Sequence, residues 1–76
     1  MKHARSDYNR IQDPENKIPE DEPVFLIRGQ DMVSAETVRH WAHLNDRAGG
    51  DPKLSAQARE QADEMDKWPT KKVSDG

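Results

Sequence analysis

The chain has 76 residues, 12 Lys and Arg against 15 Asp and Glu, no cysteine, and a formal charge of −3. That length holds one small domain, whose core supplies only about 3–5 kcal/mol unless something staples it. Without cysteine there is no disulfide and no Cys-ligated zinc, which leaves oligomerisation as the common remedy.

Charge is spread rather than segregated. Residues 1–22 carry four basic and six acidic side chains, 23–50 three of each, and 51–76 five and six. No region is strongly basic, which argues against non-specific nucleic-acid binding as the main activity. No apolar run approaches the length of a membrane span, and the opening Met-Lys-His-Ala-Arg-Ser-Asp lacks a signal-peptide pattern, so a cytoplasmic location is expected.

Residues 1–22 show neither helical nor strand periodicity. Pro14 and Pro19 interrupt them, and Glu20-Asp21-Glu22 ends them in like charge. A mobile or disordered arm is expected, touching the body at most through Tyr8, Ile11 or Ile18. Pro23 then introduces Val24-Phe25-Leu26-Ile27, an apolar, partly β-branched run stopped by Arg28-Gly29. These properties predict a short strand over 24–28, paired with its copy in another subunit, or else an extended lead-in buried under the helices. It has no evident mate in the chain, Lys71-Lys72-Val73 being a poor candidate, and an unpaired apolar edge invites association. Phe25, Ile27, Arg28 and Gln30 are therefore the candidate interaction surface.

The spacing of Val38, Trp41, Leu44 and Ala48 predicts a helix over 35–48, with Ser34 as N-cap and Gly49-Gly50 as terminator. Asp51-Pro52 restarts the chain as N-cap and first helical residue. Leu54, Ala58, Ala62, Met65 and Trp68 form a second stripe, predicting a helix over 52–68 that Pro69 stops, with Asp63 and Lys67 paired at i,i+4. So short a turn makes the helices antiparallel, stripe against stripe, with Ala58 and Ala62 leaving room for Trp41. Residues 70–76 read as a polar tail. The fold class is mainly α: a two-helix hairpin on residues 23–69 preceded by one short strand.

No constellation for chemistry stands out. His40 and His43, with Glu36 a turn earlier, lack the further ligands a metal site needs, so two solvated histidines are the simpler reading. Glu60, Asp63, Glu64 and Asp66 lie among Arg59 and Lys67, as a solvated face does, rather than in the unlike environments of a catalytic pair. Trp41 and Trp68 fall on the apolar stripes, where packing accounts for them. Two helices about a glycine turn suggest a DNA-binding hairpin, yet the second helix is net acidic where a recognition helix would be basic.

The segment Ile18-Pro19-Glu20-Asp21-Glu22-Pro23-Val24-Phe25-Leu26-Ile27-Arg28-Gly29-Gln30-Asp31, followed by Trp41, Ala62, Met65, Trp68 and Pro69, resembles short uncharacterised proteins of phages and bacterial prophage regions. The resemblance runs from about Tyr8 onward; it implies a phage or prophage setting and transfers no functional residue. The resulting expectation is a non-enzymatic accessory protein without cofactor or metal, homo-oligomeric, binding a host protein or small ligand. The alternative is a nucleic-acid-associated regulator using the basic residues of the arm and the hairpin.

Overall fold

A computed structural model describes residues 1–4 and 13–74. Its elements, in chain order, are β1 (Lys2–His3), β2 (Pro23–Val24), α1 (Ser34–Arg47) and α2 (Pro52–Lys67). The two helices pack on each other as an antiparallel hairpin, and each begins or ends within one residue of its expected bounds.

The turn follows local chemistry. Gly49 adopts φ 79°, the left-handed conformation that favours glycine after a helix. Asp51 then caps α2, its carboxylate accepting from the Lys53 amide at 2.9 Å, with Pro52 as first helical residue. At Gly50 a Cβ would displace the Asn45 carboxamide, which donates to the Asp51 carbonyl and to Ser55.

The start of α1 differs from expectation. Ser34 is the first helical residue rather than the cap, and Val33 precedes it with no side-chain capping bond. Asp31 takes over part of that role: its carboxylate accepts from the Val33 amide at 3.2 Å and its carbonyl from the Ser34 amide at 3.0 Å. Ser34 is buried instead, its hydroxyl donating to the Gly29 carbonyl at 3.4 Å.

The seam between the helices also differs. Ala35, Ala42, Ser55 and Ala62 are buried, and Val38, Asn45, Ala58 and Met65 are half-buried beside them. Taken together these recur on each helix at spacings of three, four and three (35, 38, 42, 45 and 55, 58, 62, 65), the a/d rhythm of paired helices. Trp41, expected to fill the space opposite Ala58 and Ala62, is 48% exposed, and Leu44 and Leu54 are 45% and 50% exposed. The stripe of large residues is thus rotated off the seam. Small side chains let the two backbones approach closely, and a tryptophan between them would hold them apart.

The strand is shorter than 24–28 and has a mate. β2 pairs in parallel with β1, Lys2 opposite Pro23 and His3 opposite Val24. Two residues of partner end the ladder at Val24, and residues 25–28 run on as irregular backbone toward α2. The described parts of the expected mobile arm are tied down as well. The N-terminal ammonium donates to the Pro19 carbonyl, and the Asp13 carboxylate accepts from the amides of Lys17 and Ile18. Tyr8 and Ile11 lie outside the described residues. The polar tail returns to the body: Lys72 bridges Asp31, accepting from the Met32 amide and donating to the Gln30 carbonyl, each at 2.9 Å. Lys71 and Lys72 do not pair with the 24–28 run; they hold the tail to the backbone beyond it. The Lys71 ammonium donates to the carbonyls of Gly29 and Met65, joining the lead-in to the end of α2.

Candidate binding groove

The lead-in from Leu26 to Gln30 lies along the C-terminal part of α2 and makes a groove of about 400 Å³ with Gln61, Glu64, Met65 and Trp68. Gly29 faces the helix with room for a first side-chain carbon: a Cβ there would stand 3.6 Å from the Trp68 Cβ and 3.7 Å from the Met65 Cα, ordinary van der Waals distances. The walls are apolar (Leu26, Ile27, Met65, Trp68), and the amides of Gln30 and Gln61 and the charges of Arg28 and Glu64 supply polar contacts. Glu64 is engaged with Lys67 at 3.3 Å. Among the described residues, the backbone amides of Leu26 and Ile27 donate to no acceptor.

Of the candidate surface read from sequence, Ile27, Arg28 and Gln30 come together in this groove. Phe25 does not join them. It is 73% exposed and lines a separate hollow of about 450 Å³ with Lys2, Ala4, Asp21, Pro23 and Val24. Gln61, Met65 and Trp68 complete the groove from α2. The approach of Gly29 to that helix is a tertiary contact with no local signature.

Ion pairs cross between the helices on one side of the seam. Arg39 of α1 donates to Asp63 at 2.8 Å and to Asp66 at 2.7 Å, both on α2, and Arg59 of α2 donates to Asp46 of α1 at 2.6 Å. Asp63 thus pairs across the hairpin rather than with Lys67, whose partner is Glu64. Bonds from Asp63 and then Asp66 raise the Arg39 pKa. The Asp46 carboxyl is held below its ordinary range, first by the Ser55 hydroxyl and then by the Arg59 guanidinium. Ser55 also accepts from the Asn45 carboxamide at 2.9 Å, so a small polar network closes the turn end of the seam. Exposed ion pairs contribute little to stability, so these bridge the two helices without accounting for their packing.

His40 and His43 stack on the outside of α1 with ring centroids 6.4 Å apart, and among the described residues no cluster of three or more metal-ligating side chains is assembled. No helix of the described residues is long and apolar enough to cross a membrane. No family model, curated protein or solved structure matches the chain.

Proposed function

We propose that this chain is a non-enzymatic accessory protein of phage or prophage origin that acts in the host cytosol by holding an extended segment of a host protein in the groove between the lead-in and α2. The observation that carries the reading is the groove itself: an apolar trough beside the unoccupied amides of Leu26 and Ile27. An added strand gains affinity from such main-chain donors and selectivity from pockets for alternate side chains. The volume also falls within the range of about 300–1,000 Å³ used by small-ligand sites, so a compact ligand would meet the same walls.

The nucleic-acid alternative loses its main resource on the hairpin, because Arg39 and Arg59 are both committed to carboxylates. Retention of host proteins on the immobilised full chain is the direct test, with Ile27→Asp as comparison and circular dichroism as a check on folding. A charge among these apolar walls is expected to abolish retention of the specific partner. Equal retention by the two chains, both folded, would remove the groove from the mechanism.

A further inference from the structure

The lead-in and α2 form the two walls of the groove, yet among the described residues no hydrogen bond joins residues 26–30 directly to α2. Gly29 meets Met65 and Trp68 only at van der Waals distance, a contact that is weak and undirected. The polar links run through the C-terminal tail instead. Pro69 keeps Trp68 in extended backbone, φ −64° and ψ 122°, so the chain leaves the helix axis at that point. The tail then returns alongside the lead-in. Its Lys72 amide donates to the Gln30 carbonyl and its Lys72 carbonyl accepts from the Met32 amide, each at 2.9 Å. One residue earlier, the Lys71 ammonium donates to the Gly29 carbonyl at 2.8 Å and to the Met65 carbonyl. A single side chain therefore holds both walls.

The chemistry suits the place. Met65 lies in the last turn of α2, where the final carbonyls lack intrahelical partners and form the negative end of the helix dipole. An ammonium carries three donors, so it can satisfy the helix end and the Gly29 carbonyl together. We infer that the C-terminal tail is a strap that assembles the groove, with Lys71 as the residue that positions the lead-in against α2. Docking of the strap and filling of the groove are then coupled, and each strengthens the other by the same factor. A neutral stem at position 71 leaves Gly29 and Met65 held by contact alone, and the lead-in swings off the helix. The hairpin keeps its own supports, since the seam, the Asp51 cap and the ion pairs of Arg39 and Arg59 make no use of the tail. The coupling to binding rests on the groove reading above; the strap itself does not.

Lys71→Met keeps the stem and removes the donors, and Lys71→Arg restores them. NMR on the full chain reads the outcome with no ligand present. In the methionine chain the proton–proton contacts between Gly29 and Met65 are expected to vanish. Solvent exchange of the Met32 and Lys72 amides is expected to quicken about tenfold, as for the loss of a hydrogen bond to a charged group. The seam amides of α1 and α2 are expected to stay as protected as before, which separates a lost strap from a lost fold, and the arginine chain to recover both signals. Unchanged contacts and exchange in the methionine chain overturn the inference, as does an equal loss of protection throughout both helices. Retention of host proteins is read separately, with Lys71→Met expected to weaken it about tenfold, the same bond being lost. Full retention by Lys71→Met where Ile27→Asp abolishes it overturns the coupling. Equal retention by Ile27→Asp and the parent chain removes the groove reading, and the NMR result then still decides the strap.

Discussion

Ala62→Leu is expected to lower stability by about 1–3 kcal/mol, the usual consequence of forcing methylenes into a filled site. Ala62 has no exposed surface and faces α1 across the seam. A leucine there must push the helices apart or leave its preferred rotamer, and separation would also stretch the bonds from Arg39 and Arg59. Against a core worth about 3–5 kcal/mol, such a loss leaves the chain close to unfolding. For a domain of this size each kcal/mol is worth about 4–8 °C in Tm, so a thermal melt followed by circular dichroism reads the effect. Leu44→Ala, although it removes far more apolar surface, is expected to change the melt of the dilute chain by no more than about 0.5 kcal/mol, as surface substitutions do. The opposite ranking would place the larger residue in the seam.

Ser55→Leu is expected to be comparably damaging, for two reasons that add. The serine is fully buried, so the larger side chain costs about 1–3 kcal/mol in overpacking, and the lost bond with Asn45 costs about 1 kcal/mol more. Ser55→Ala separates the terms, since it keeps the space and removes the hydroxyl. The Asp46 pKa is then expected to rise toward the ordinary carboxylate value, because its largest lowering influence is gone. The pH dependence follows from the sign of the shift. A carboxyl with a lowered folded pKa stabilises the fold above its unfolded pKa, about 3.9, and that contribution fades as the pH falls through the folded value. In the alanine variant this part of the acid sensitivity should shrink, and a carboxyl titration followed by NMR measures both shifts.

The hairpin was legible in the sequence wherever local chemistry decides. Gly49 and Gly50, Asp51 and Pro52 mark a helix end and a helix start within four residues, and no tertiary contact alters that reading. The seam was only half legible from hydrophobicity: Val38, Ala58, Ala62 and Met65 stand on the stripes the spacing picks out and do face the seam, but Trp41 and Leu44 outweigh Ala35 and Ala42 on any apolar scale. What selects the seam is how closely two backbones can approach, and that favours alanine and serine. The signal was present as a seven-residue repeat, Ala35 to Ala42 and Ser55 to Ala62, which a search for small residues rather than large ones would have found. The pairings of Lys2 with Pro23 and of Lys72 with Asp31 had no signal at all, since a ladder of one or two residues sets no alternation. Three of the four residues proposed from sequence as an interaction surface share one groove because their segment runs on over the C-terminal part of α2. Phe25 precedes that approach and faces elsewhere.

The central claim is that small residues close the hairpin and leave Trp41 outside the seam. Quenching of Trp41 fluorescence by a neutral solute, in a full chain carrying Trp68→Phe so that one tryptophan remains, tests it most directly. Trp41 is expected to be readily quenched. A Trp41 shielded from the quencher in the folded chain would put it in the seam and contradict the account.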